Sequence, residues 1–106
     1  VSDTATPTAP ERTILRCKAG ADVHSLAARV SRHVEEGTPV GVTAIGAGAV
    51  NQAVKALTVA IGTLASRGIF IAFTTAWGRT TDLQTPSSSG GDELSLMQFN
   101  VEVLRR

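Results

Sequence analysis

Thr43-Ala-Ile-Gly-Ala-Gly-Ala-Val-Asn-Gln-Ala-Val-Lys-Ala-Leu57 changes period part-way along. Up to Ile45 it continues Pro39-Val-Gly-Val-Thr-Ala-Ile45, a β-branched run that reads as a strand. From Ala49 the apolar residues recur at helical spacing, which predicts a helix to about Arg67. Gly46-Ala47-Gly48 is the corner between them. Val50, Ala53, Val54, Leu57, Ile61 and Leu64 form the expected core stripe. Ala49, Ala56, Val59, Ala60 and Thr63 widen it, and Lys55 and Arg67 are the only charges. A helix so apolar is expected to be buried on two sides, the second supplied by another subunit. Gly68 closes it.

Upstream, Thr13 to Lys18 (TILRCK) predicts a first strand with Leu15 and Cys17 inward and Arg16 and Lys18 outward. Asp22 is placed to cap a helix over Val23 to Glu36, because its carboxylate can accept from free first-turn amides. Gly37 stops that helix and Pro39 prevents its resumption. Residues 1–12, VSDTATPTAPER, carry no hydrophobic period and read as a disordered tail before a single domain over 13–106.

Downstream, Ile69 to Trp77 (IFIAFTTAW) is nearly all apolar, which suggests a central strand. A polar loop follows to Asp92, with Pro86-Ser-Ser-Ser-Gly-Gly91 inside it; Thr81-Asp-Leu-Gln84 would extend the third strand or form a short edge. Met97, Phe99, Val101 and Val103 then alternate with polar residues in a last strand over about Leu94 to Leu104. Leu94 and Leu96 are out of phase with that series, which predicts a bulge near Leu96-Met97. The order β-α-β-α-β-β predicts an α+β fold, with two helices packed on one face of a mixed four-stranded sheet.

The run AIGAGAVNQAVKAL (residues 44–57) resembles the signature of the stage V sporulation protein S (SpoVS) family. LRCK (15–18), the helix opening near His24-Ser-Leu-Ala, TDLQ (81–84) and VEVLRR (101–106) are similar to its outer segments. The Ser/Gly-rich stretch 86–91 is longer than the turn such proteins have there. The resemblance implies an Alba-like βαβαββ domain, dimeric or higher, with a role in spore development. It also implies DNA or RNA as a partner. Alba-like proteins use a basic loop after the first strand, a basic segment at the start of the second helix, and the last hairpin.

The residues that would carry such binding are Arg16, Lys18, Gly46, Gly48, Asn51, Gln52, Lys55 and Arg79. Glycines let a backbone come close, and the first amides of a helix present positive partial charge to a phosphate. The other reading of the same corner is a tight βα turn in which Asn51 and Gln52 hold a loop or a dimer contact. The Lys-Ser/Thr ending of a P-loop is absent. The loop at Ala19-Gly20 and the segment Ile45 to Gly48 lack the cations of Alba proteins, and the hairpin mixes Arg79 with Asp82, Asp92 and Glu93. Net charge is +1, against tight nonspecific binding to DNA. A protein-interaction or assembly module on the same scaffold is therefore the competing expectation.

The chemistry of an enzyme is not in evidence. His24 and His33 stand on different faces of their helix, and no serine has a His-Asp partner set. Cys17, the single cysteine, has no internal disulfide partner and reads as a small buried hydrophobe. We expect no cofactor, no metal and no catalytic residue. With 42% hydrophobic and 18% charged residues and no apolar run of membrane-spanning length, the chain reads as a soluble, cytoplasmic globular domain without membrane partners. Trp77 and Phe73 read as core or interface, or as platforms for bases.

Overall fold

A computed structural model describes residues 12–78 and 96–106. The elements are β1 (Thr13–Cys17), α1 (Val23–Glu35), β2 (Val40–Ile45), α2 (Ala47–Ala65), β3 (Phe70–Gly78) and β4 (Leu96–Arg105). This is the order expected from the Alba-like resemblance. Of the expected tail over residues 1–12, only Arg12 is described, and it is held against the sheet; residues 1–11 lie outside the described residues, as does the 79–95 stretch that includes Thr81 to Gln84.

The sheet order is β1-β2-β4-β3. β1 and β2 are parallel, with Leu15 beside Val42 and Cys17 beside Ala44. β4 runs antiparallel to both β2 and β3, so β1, β2 and β3 share one direction. Leu15, Cys17, Val40, Val42, Ala44, Phe99, Val101 and Ile71 point to one side of the sheet and join the buried residues of both helices in one core. Phe73 meets the Phe99 ring edge-on at 5.8 Å between centroids, which places Phe73 in that core.

Local chemistry sets the helix ends. Asp22 caps α1 as expected, accepting from the His24 amide at 2.9 Å and the Ser25 amide at 3.1 Å. Gly37 and Gly68 follow the two helices with positive φ. No described helix is long and apolar enough to cross a membrane.

Three expectations are corrected. β3 lies at the edge of the four-stranded sheet, not at its centre. Its apolar character reflects two faces that both carry apolar side chains, with Ile71 buried, Phe70 42% exposed and Trp77 75% exposed. The ladder is regular through Leu96-Met97; the irregularity lies between Phe70 and Ile71, opposite Leu104. Leu96 needs no bulge because it is buried on the face opposite Phe99, seated over the side-chain-free Gly78. The buried stripe of α2 is also rotated: Ala49, Ala53, Ala56, Leu57, Ala60 and Leu64 face inward. Alanines let the helix approach the sheet and α1 closely. Val50 and Ile61 are only partly buried and Val54 is 38% exposed.

Arg12 clamps the far end of the sheet. Its guanidinium donates to the Val40 carbonyl at 3.3 Å, the Val101 carbonyl at 2.9 Å and the Glu102 carboxylate at 2.8 Å. It thus spans β2 and β4 from a residue that precedes β1.

Candidate functional site

Because β1, β2 and β3 run the same way, their C-terminal ends and the start of α2 gather at one end of the sheet. Ile45 stands beside Leu96, which in turn stands beside Gly78. Lys18, the Gly46 corner and the base of the β3–β4 hairpin therefore share that end. Cys17 stands beside Ala44, so Lys18 follows at the level of Ile45, the residue before the corner.

Gly46 turns the chain with φ 90° and ψ 158°, a conformation that residues with a Cβ avoid. It is exposed, and a Cβ built there would meet nothing within 4 Å. The corner is therefore open. The Val50 amide donates to the Gly46 carbonyl at 3.0 Å, closing the first turn of α2. Gly46 supplies no side-chain acceptor to the first-turn amides that follow it, which leaves the N-terminal partial charge of the helix uncapped.

Beside this corner lies a pocket of about 280 Å³ between the ends of β1 and β2, lined by Arg16, Lys18, Ala19, Thr43 and Ile45 among others. Arg16 and Thr43 are register partners on the sheet face away from the helices. Arg16 of β1 and Lys18 just after the strand thus line one recess, which reaches Ile45, the residue before the corner.

The remaining expected residues divide by what they touch. Gln52 donates to the Ala21 carbonyl at 2.9 Å, tying α2 to the β1–α1 loop. A Cβ on Gly48 would stand 3.1 Å from the Ala19 Cβ, so this glycine serves the same loop contact. Asn51 and Lys55 lie one turn apart on the exposed side of α2. Asn51 makes a long 3.4 Å contact with the Gln52 oxygen. Arg79 lies outside the described residues. The outward set is Arg16, Lys18, Gly46, Asn51 and Lys55; Gly48 and Gln52 hold the loop that carries Lys18 in place.

Cys17 backs the pocket from the core. Its thiol reaches the Ala49 carbonyl at 3.5 Å and the Lys18 carbonyl at 3.6 Å. Burial pushes the thiol above its ordinary value of 9.0, which keeps it protonated and unreactive at neutral pH. Among the described residues there is no group of three or more His, Cys, Asp or Glu side chains able to hold a metal ion.

Thr43 was missed from sequence because it reads as an ordinary ladder residue; its register with Arg16 is what brings it to the recess. The contact between Gly48 and Ala19 had no signal either, since it joins the first turn of α2 to a loop 29 positions back.

The model of one protein family, described as stage V sporulation protein S (SpoVS), matches residues 13–87. The match contains the glycine corner, Arg16, Lys18 and Lys55. No curated protein matches the chain.

Proposed function

The chain belongs to the stage V sporulation protein S (SpoVS) family, a sporulation-related family, and from that premise we propose that it is a non-enzymatic module that binds DNA or RNA as a homodimer or higher homo-oligomer. The observation that carries the reading is the open Gly46 corner with Arg16 and Lys18 in the adjoining recess. Phosphates would meet backbone amides of α2 at the corner, with Lys18 and Arg16 on one side and Asn51 and Lys55 on the other. Such contacts go to the backbone of the nucleic acid and carry little sequence information.

The second copy would sit against the apolar flank that α2 presents away from α1. Val50, Val54 and Ile61 lie along that flank. Trp77 (75% exposed) and Val103 (42% exposed) lie on the helix-bearing side of the β3–β4 hairpin. Pairing two subunits there doubles the number of corners and compensates for a net charge of only +1.

The test is a titration with single-stranded RNA and duplex DNA over a range of salt. Affinity should fall with salt, and Lys55→Ala should reduce the log–log salt slope on duplex by about 0.9, the value for one lost phosphate contact. Absence of binding at low salt, with a stable oligomer in sedimentation, would favour the reading as a protein-interaction or assembly module. Val54→Lys should convert the native oligomer to monomer with unchanged circular dichroism; a wild-type chain that sediments as a monomer would remove the homodimer from the reading.

A further inference from the structure

The loop of residues 18–21 follows β1, leads to the Asp22 cap of α1, and carries Lys18. Lys18, Ala19 and Gly20 are exposed, and Ala21 is half-buried. Short exposed loops with few packed side chains belong to the least stable parts of a fold. What braces this one therefore decides how much of its order exists before a ligand arrives.

Two contacts from α2 brace it. The Gln52 side-chain amide donates to the Ala21 carbonyl at 2.9 Å, across 31 positions of sequence. Gly48 lets the first turn of α2 come close to Ala19, where a Cβ would stand 3.1 Å from the Ala19 Cβ. Ala21 passes the restraint on, because its own amide donates to the Lys18 carbonyl at 3.0 Å. A chain of hydrogen bonds thus runs from α2 through Ala21 to the residue that bears the cation.

Among the described residues, Gln52 is the one side chain of α2 that bonds this loop. It is half-buried and its nitrogen is engaged by the loop, which suits a brace better than a phosphate contact.

We infer that Gln52 is a positioning residue: it acts on the nucleic acid through Lys18, by holding the loop where Lys18 meets a phosphate. The inference rests on the nucleic-acid reading above and deepens it, separating residues that touch the ligand from one that tunes a contact made by another. Without the brace, the loop must be ordered as Lys18 binds, and that cost lowers the affinity. Where Lys18 is absent there is no such contact to weaken, so the effect of Gln52 disappears.

The experiment is a double-mutant cycle on duplex DNA affinity, with wild type, Lys18→Ala, Gln52→Ala and the double variant. It is run at a temperature where circular dichroism shows all four folded. Lys18→Ala should weaken binding and lower the log–log salt slope by about 0.9. Gln52→Ala should weaken binding about fivefold in the wild-type background, the equivalent of about 1 kcal/mol, and less than about twofold beside Lys18→Ala. Val40→Ala, a core change at the far end of the sheet, should lower stability and leave affinity unchanged. An equal or larger loss from Gln52→Ala beside Lys18→Ala, or no loss in either background, overturns the inference while binding at the corner stands. So does a Val40→Ala variant that binds as weakly as Gln52→Ala, since the effect is then a general loss of fold. If Lys18→Ala leaves affinity unchanged, the Lys18 contact and this inference fall together, and a wild type that binds no nucleic acid removes the whole reading.

Discussion

Gly46 and Gly62 offer a matched pair of substitutions with opposite expected signs. Both are exposed, and a Cβ built on either would meet nothing within 4 Å. Contacts therefore cancel, and only the backbone differs. Gly62 lies inside α2 in ordinary helical conformation, where glycine is about 1 kcal/mol worse than alanine. Gly62→Ala should stabilise the domain by about that amount. Gly46 sits at φ 90° and ψ 158°, a region nearly closed to residues with a Cβ. Gly46→Ala should cost about 1–3 kcal/mol there. For a domain of this size, 1 kcal/mol moves Tm by roughly 4–8 °C. The two variants should thus fall on opposite sides of wild type, separated by about 2–4 kcal/mol. Urea unfolding followed by circular dichroism measures this directly, and the m value should be unchanged in both. If Gly46→Ala unfolds at the wild-type midpoint, the corner does not depend on that conformation. The geometry assigned to the phosphate contact would then be wrong.

Gln52→Ala should lower stability by about 1 kcal/mol through loss of the bond to Ala21, and should speed hydrogen exchange in the β1–α1 loop more than in β4. Asp22→Ala removes the acceptor for two α1 amides and should cost about 1 kcal/mol in denaturant unfolding. Cys17 should react with a thiol reagent at pH 8 far more slowly in the native chain than in urea. Its raised thiol value also sets a pH dependence. The folded state holds the proton more tightly than the unfolded state, so this contribution is complete below the ordinary value of 9.0. It is then lost as pH rises from there through the folded value. Cys17→Ala should flatten the stability profile above pH 9; an unchanged slope would show that the thiol is not the group responsible.

Signals written in short sequence windows were legible. Asp22 before an apolar-periodic run, Gly37 before Pro39, and the change of period at Gly46 each specify a boundary through local backbone chemistry. The βαβαββ order follows from them. Strand order was less legible, because Ile69 to Trp77 looks the same whether its second face is covered by strands or left open. The α2 stripe was misjudged for a related reason. Hydrophobic size favours Val50, Val54 and Ile61 as core, but close helix packing selects the alanines. At the candidate site, Gly46 was readable from its type and position. That Gln52 holds a loop was one of the two readings; which loop it holds, and the role of Gly48, were not readable, since they act on Ala21 and Ala19, far back in the chain.

The two rims of the sheet differ in kind. On one side β1 is five residues long and carries Arg16; on the other β3 runs for nine residues without a single ionisable side chain. Charge and shortness discourage a strand from adding to the first rim, and the residues of β3 itself carry no comparable guard. Were a copy to add there by a twofold axis, instead of along the α2 flank, uncharged residues would meet i against j and j against i, without like-charge repulsion. The rims left outward are then the short cationic ones, so this mode of growth would halt at a pair and a fibril could not propagate through the sheet.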